Sequence, residues 1–297
     1  MTFTLTRREF VRRLSMITAV APLVRHRARA PIVLRIGVVP SDSRHALSAR
    51  ARQQGIAMGV DEARRAATLF GGAVETLTTT AVGLRSQRLS AVLGGDDAAS
   101  CAALARAAAD AGVLYVNTAC SSDALRSDCR ELAYHVIPSD AMYRDALSLA
   151  RTSGHAGNAL VAVAWDPSFV RFGADSLNER YRSHYGTGMT AEAWGAWFAV
   201  KILWESALRA RSGTPTAIAS FLARDTTQFD GYKGRPLSFR AWDHQLRQPV
   251  YVMGRASTGA LTLVAEEPVA HSSDEASREV LDRIGTSATG SPCHLGK

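Results

Sequence analysis

Short apolar runs alternate with longer amphipathic segments between residues 31 and 138. The short runs are rich in β-branched residues and end at proline, glycine or polar clusters, whereas the longer segments repeat apolar residues at three- and four-residue spacing. Short loops that join such strands to such helices are typical of βαβ units, whose strands are parallel. The pattern predicts an α/β fold with a doubly wound parallel sheet, whose strands are expected at 33–39, 74–79, 89–93, 113–116 and 133–137. Its long helices are expected at 47–70 and 98–111.

The pattern is less regular after residue 138. A sixth strand is predicted at 159–165, and further helices at 139–153, 169–185, 191–209 and 215–223. The helix at 191–209 carries tryptophans at helical spacing, which indicates a core position more than a ligand platform.

The last third of the chain has a β pattern and then few large apolar residues. The runs 237–240 and 249–253 are predicted to pair as a hairpin, and 260–265 to add another strand. A segment poor in large apolar residues cannot bury enough surface to offset the entropy of ordering it. Residues 266–297 are therefore predicted to be a disordered tail.

The N-terminus carries paired arginines, Arg7 and Arg8, followed by Phe10 and an apolar run at 14–24. That run is too short for a membrane-spanning helix, which needs about 20 residues. A basic start, a short apolar run and a small-residue site are typical of an export signal, and the paired arginines indicate the twin-arginine translocon. Residues 1–30 are predicted to be this signal, which predicts a periplasmic protein. An amphipathic helix or a plain basic tail is the alternative.

The net charge of +8 belongs mostly to the same segment. Residues 1–30 contain seven Arg and one Glu, so the remaining chain has 35 − 7 = 28 basic and 27 − 1 = 26 acidic side chains, a net charge of +2. That balance gives no electrostatic reason to expect a nucleic-acid partner.

The cysteines form no CxxC motif, and no His/Cys spacing indicates a metal site. An oxidising compartment would permit a disulfide. The candidate pairs are Cys120 with Cys129 and Cys101 with Cys120, and buried free thiols are the alternative.

Polar residues follow the first, third and fourth predicted strands. Right-handed crossovers bring the carboxyl ends of parallel strands to one edge of the sheet, which is where open α/β sheets bind ligands. Loops of this kind also occur in such folds without any ligand. The candidate ligand-binding residues are Ser41, Ser43, Gly95, Asp96, Ser100, Asn117, Thr118 and Ser121. Asp96 and Asp97 indicate a ligand that carries an amine or several hydroxyls, because an unpaired buried anion pair is costly.

Motifs of the common hydrolases, zinc proteases and nucleotide-binding enzymes do not occur in a suitable context. We therefore expect neither catalysis nor a cofactor.

Several dispersed segments together resemble the type I periplasmic binding proteins of the branched-chain amino acid ABC transporter group. They are Ile36-Gly37-Val38-Val39, the helix containing Gly55-Ile56-Ala57-Met58-Gly59, Val92-Leu93-Gly94-Gly95, Val116-Asn117-Thr118-Ala119, Tyr134-His135-Val136-Ile137-Pro138, and Phe229-Asp230-Gly231-Tyr232-Lys233-Gly234. Within this group the chain looks most like the binding-protein-like chains associated with pyrroloquinoline-quinone (PQQ) alcohol oxidation systems, on Trp194–Lys201 and Asp243–Val252.

This resemblance implies two lobes that close over a ligand. Lobe one would comprise 31–138 plus 188–265, and 139–187 would be the remnant of a shortened lobe two. The group's amino-acid binders usually place hydroxyl residues where this chain has Asp96 and Asp97, so an amino-acid ligand is not expected.

Together these features predict an exported solute-binding protein that binds a small polar molecule without catalysis. An inner-membrane ABC permease is a candidate partner. The alternative is a periplasmic accessory protein of a PQQ-linked alcohol oxidation system that binds no small ligand.

Overall fold

A parallel sheet of five short strands lies at the centre of the fold. The computed structural model describes residues 31–155, 160–255, 259–270 and 276–295, so the export signal predicted at 1–30 lies outside the described residues. The strands are β1 (Val33–Val38), β2 (Ala73–Thr78), β3 (Ala91–Leu93), β4 (Leu114–Asn117) and β5 (Ala133–His135). They lie in the order β2-β1-β3-β4-β5 and are all parallel. The predicted doubly wound sheet is confirmed.

Six of the eight helices in the described residues are close to those that the periodicity predicts, and the two shortest are not among the six. They are α1 (Ala46–Leu69), α2 (Ala98–Ala111), α3 (Asp123–Arg126), α4 (Asp140–Thr152), α5 (Ala174–Tyr185), α6 (Ala191–Ala210), α7 (Pro215–Leu222) and α8 (Ser277–Leu281). Short 3₁₀ turns occupy Ser43–His45 and Gly83–Arg85. Within the described ranges no helix is long and apolar enough to cross a membrane.

Helices α1 and α6 pack closely because α1 carries glycine at the contact. A Cβ on Gly55 would collide with the backbone of Ala193, and a Cβ on Gly59 would lie 2.9 Å from Cβ of Val200. Trp194 and Trp197 of α6 are buried in the same core, which confirms their predicted structural role.

A second, smaller sheet is antiparallel. Its strands are β6 (Leu160–Val163), β9 (Val250–Arg255) and β10 (Leu261–Glu267), in the order β10-β9-β6. Two further strands, β7 (Ser238–Phe239) and β8 (Leu246–Arg247), pair only with each other. The predicted hairpin of 237–240 with 249–253 is therefore wrong, because β9 pairs on one edge with β10 and on the other with β6. The strand at 249–253, which the sequence places in lobe one, thus belongs to the sheet that contains β6.

The C-terminal segment differs from the predicted disordered tail. Residues 276–295 include α8, and the side chains of Val280, Leu281 and Ile284 are fully buried. The carboxylate of Asp282 accepts hydrogen bonds from two buried arginines, Arg240 at 3.0 Å and Arg247 at 2.9 Å. The few large apolar residues of α8 and the turn after it are therefore enough to anchor this segment, together with the ion pairs of Asp282.

The disulfide joins Cys129 to Cys293, which is neither of the predicted pairs. Cys101 and Cys120 are free and buried. The partner of Cys129 lies 164 residues away, in the segment predicted to be disordered, so the sequence offered no reason to consider it.

Candidate functional site

A cavity of about 240 Å³ opens at the carboxyl ends of β1, β3 and β4. The first half of α1 forms its other wall. The strand order reverses between β1 and β3, and such a reversal is the usual ligand position in open α/β sheets. The cavity is lined by Val38, Val39, Pro40, Ser41, Ala49, Arg52, Gln53, Ile56, Leu93, Gly94 and Thr118.

A buried ion pair joins the wall of this cavity to the end of β3. The guanidinium of Arg52 contacts the Asp96 carboxylate, and side chains of both residues are less than a tenth exposed. Arg52 also donates to the Ser41 hydroxyl at 3.0 Å. The second carboxylate oxygen of Asp96 accepts the backbone N–H of Asp42 at 2.8 Å. The pair therefore holds α1 and the loops after β1 and β3 together, and breaking it would leave an uncompensated buried charge.

Asp97 and Ser100 form the N-terminal cap of α2. The Ser100 N–H donates to the Asp97 carboxylate at 2.8 Å, and the Asp97 N–H donates to the Ser100 hydroxyl at 3.1 Å, which is a capping box. The Ser100 N–H, and the Ser100 hydroxyl that donates to the same carboxylate at 2.7 Å, lower the pKa of Asp97. The Ser100 hydroxyl also accepts the Asp96 N–H at 3.0 Å. Both residues are thus engaged in local structure.

The glycines after β3 shape the loop. Gly95 has a φ of +87°, and a Cβ there would lie 2.5 Å from Sγ of Cys101. A side chain would be strained and would collide, so Gly95 contributes backbone conformation rather than a contact surface.

The loop after β4 is organised by Asn117. Its buried amide donates to the Cys120 carbonyl at 2.7 Å and accepts the N–H groups of Cys120 at 2.9 Å and Ala119 at 3.2 Å. The amide nitrogen also lies 3.3 Å from Nδ1 of His135. The next residue, Thr118, is buried and lines the cavity.

Seven of the eight predicted site residues fall into two groups in the structure. Ser41 and Thr118 line the cavity, and Asp96 supports it through Arg52. Gly95, Ser100, Asn117 and Ser121 are engaged in loop and cap geometry, and the backbone carbonyl of Ser121 accepts the Asp140 N–H at 2.8 Å. Ser43 lies in the 3₁₀ turn Ser43–His45. The three predicted loops do meet at one edge of the sheet.

The geometry removes the reason to expect an amine ligand at Asp96 and Asp97. Arg52 neutralises the Asp96 carboxylate, and Ser100 hydrogen-bonds the Asp97 carboxylate. Sequence reasoning missed Arg52 altogether. The available signal was a cation four residues before Ile56, on the apolar face of the predicted helix.

No protein-family model and no curated protein matches this sequence. Solved structures do. A periplasmic binding protein from Burkholderia mallei aligns with a TM-score of 0.66 and 11% identity, over 90% of this chain and 99% of that chain. The branched-chain amino acid transporter substrate-binding protein LivJ from Streptococcus pneumoniae, in complex with isoleucine, aligns with a TM-score of 0.63 and 16% identity, over 79% and 99%. A solute-binding protein of an ABC transporter from Rhodopseudomonas palustris, in complex with 3,4-dihydroxybenzoic acid, aligns with a TM-score of 0.63 and 9% identity, over 79% and 97%.

These likenesses show the fold. The chain has the architecture of the type I periplasmic binding proteins, with a reduced second lobe.

Proposed function

We propose that this protein is an exported, non-catalytic solute-binding protein whose ligand occupies the cavity at the ends of β1, β3 and β4. The observation that carries the proposal is the cavity itself, which lies at the reversal of strand order in a sheet of the type I binding-protein fold. The structural neighbours are substrate-binding proteins of ABC transporters. An inner-membrane ABC permease is the partner that this function requires.

The chemistry of the walls restricts the ligand to a small, partly polar molecule. Val38, Ile56 and Leu93 are apolar, whereas Ser41 and Thr118 carry hydroxyls. A volume of about 240 Å³ lies below the range of about 300–1,000 Å³ that is usual for ligand pockets, so only a small molecule fits. The reduced second lobe offers little surface to close over the molecule, so we expect a dissociation constant in the micromolar range or weaker, about 8 kcal/mol of binding free energy or less.

A thermal-shift screen of the mature chain tests the proposal. A ligand present at about 100 times its dissociation constant adds about 2.7 kcal/mol of stability, or roughly 5–10 °C for a chain of this size. The panel contains amino acids, polyols, alcohols, amines and small aromatic acids.

Two phenylalanine variants on the same helix identify the site. Ala49 lines the cavity and Ala57 is exposed elsewhere on α1. Ala49→Phe is expected to abolish the ligand-induced shift by filling the cavity, and Ala57→Phe to retain it. A ligand that stabilises both variants as it does the parent binds elsewhere. If no compound in the panel shifts the parent, solute binding is rejected in favour of the accessory-protein alternative.

A further inference from the structure

A second cavity, of about 310 Å³, lies against the smaller sheet. One wall is formed by β9 and β10, and the other by the loop that leads from β6 into α5. Neither wall includes a residue of the cavity at the carboxyl ends of β1, β3 and β4, which we call the strand-tip cavity. An engineered apolar cavity of about 150 Å³ is large enough to bind benzene. This one therefore has room for an aromatic ring with a short chain.

The walls are mostly aromatic. Phe169 and Tyr251 lie with ring centroids 4.4 Å apart, and Phe172 and Tyr232 line the same space. Two glycines allow this arrangement. A Cβ on Gly234, whose φ is +71°, would collide with the Phe172 ring, and a Cβ on Gly173 would lie 3.0 Å from the Tyr232 ring. The shape of the cavity thus depends on glycine in both loops, because the backbone at Gly173 and at Gly234 lies directly against an aromatic ring of the other loop.

Apolar side chains at the rim remain exposed to solvent. Val170 is 70% exposed, Phe172 49% and Leu263 41%, and all three line the cavity. Exposed apolar residues gathered around one opening are characteristic of a binding surface.

Glu266 brings a carboxylate into this aromatic space. It lines the cavity and is only partly exposed. Among the described residues its side chain makes no hydrogen bond and no ion pair at contact distance. Burial raises its pKa, while the charges of Arg235, Arg171 and Lys233 act in the opposite direction. The carboxylate is therefore partly desolvated without a direct partner.

Arg171, Arg235 and Lys233 lie near Glu266, but none of them contacts its carboxylate directly. Arg171 is exposed and stacks over the Phe172 ring at 4.9 Å. Arg235 is partly exposed in the loop that follows Lys233. Lys233 is fully buried and donates to Oε1 of Gln248 at 2.7 Å and to the Pro249 carbonyl at 3.3 Å. Burial lowers the pKa of Lys233, and the Glu266 charge acts in the opposite direction.

We propose that this cavity binds a small aryl or alkyl amine, with its apolar body among the aromatic rings and its ammonium group at the Glu266 carboxylate. The ring faces add cation–π attraction, which is strongest where the cation is desolvated. The ammonium would supply the hydrogen bonds that the carboxylate lacks.

Isothermal titration calorimetry with three probes of one shape tests the proposal. The probes are 2-phenylethylamine, 2-phenylethanol and phenylacetate. We expect the amine to bind the parent at least tenfold more tightly than the alcohol, and the acid to bind most weakly. Amine binding should weaken as the pH falls through the raised pKa of Glu266. Equal affinity for amine and alcohol, preference for the acid, or no binding of the amine would each overturn the proposal.

Four variants locate the site. Glu266→Gln and Leu263→Trp, which changes only an exposed rim residue, should each weaken amine binding at least tenfold. Glu131→Gln removes an exposed carboxylate elsewhere and should change nothing. Ala49→Phe should also leave amine binding intact, which separates this site from the strand-tip cavity. Unchanged amine affinity in both Glu266→Gln and Leu263→Trp would refute the assignment.

Discussion

His244 is a buried residue whose ionisation opposes folding. Its ring stacks on Tyr134 with centroids 4.2 Å apart, and Nδ1 donates to the Ala133 carbonyl at 3.2 Å. The backbone carbonyl of His244 accepts the His135 N–H at 3.0 Å. This hydrogen bond attaches the turn at 241–243, which His244 follows, to the end of β5. Burial lowers the pKa of His244 to about 4, although the Ala133 hydrogen bond acts against this shift.

This shift predicts a pH dependence of stability. The folded pKa of His244 lies below the unfolded value of about 6.5. The contribution of the neutral ring is therefore complete above pH 6.5 and is lost as the pH falls through the folded pKa, by about 3 kcal/mol in total. We expect His244→Asn to be less stable than the parent at pH 7 but to lose less stability on acidification, as measured by urea midpoints. Asn is chosen because it tolerates the φ of +52° found here.

The matched control is His184→Asn, which replaces an exposed histidine. It should reproduce the parent's pH profile. Parallel profiles for His244→Asn and the parent would show that His244 is not the titrating group.

Residue types along the sequence predict one property of the candidate site and miss another. Its position could be predicted, because the handedness of βαβ units places three polar loops at one edge. The state of its side chains could not. The sequence predicts that the charges of Asp96 and Asp97 face a ligand, whereas the fold pairs Asp96 with Arg52 and makes Asp97 the N-terminal cap of α2. Burial of Asp96 requires such internal neutralisation, and the partner that supplies it, Arg52, lies 44 residues away in sequence.

At the scale of elements, the sequence pattern predicts the pairing of strands that are neighbours along the chain but not the pairing of distant ones. The strands β1–β5 follow one another through single crossovers, so their parallel pairing could be derived from the pattern. The pairing of β6 with β9 joins segments almost ninety residues apart, as in Val163 with Tyr251. No periodicity carries that information. A neighbouring hairpin was therefore predicted in its place.

The disulfide between Cys129 and Cys293 should be a major support of the C-terminal segment. It closes a loop of 164 residues, and loss of a native disulfide typically costs about 2–5 kcal/mol. Replacing both cysteines by serine should lower the denaturant midpoint by a corresponding amount. Cys293→Ser alone should lose as much, because either change removes the bond, and reduction of the parent should bring it to the same stability. An unchanged midpoint in the double variant would contradict this expectation.

At the scale of the whole molecule, the two main sheets of the described residues differ in size. Five parallel strands and their helices support the strand-tip cavity, whereas the second sheet has only three strands. The face of that smaller sheet carries the aromatic cavity. For the function that we propose, the reduced second lobe would offer little surface to close over the strand-tip cavity.

Export of this chain can be tested chemically, because its disulfide forms only in an oxidising compartment. Arg7 and Arg8 precede an apolar run of a length suited to a signal rather than a span. Replacing both by Lys should retain the protein in the host cytoplasm, where thiols are kept reduced. Thiol labelling after denaturation should then detect four cysteines in the Lys-Lys variant, but only Cys101 and Cys120 in the exported parent. Cell fractionation provides the independent measurement, and Arg12→Lys is the control that keeps the arginine pair. Periplasmic, disulfide-bonded protein from the Lys-Lys variant would end the twin-arginine hypothesis, because the pair would then be dispensable for delivery.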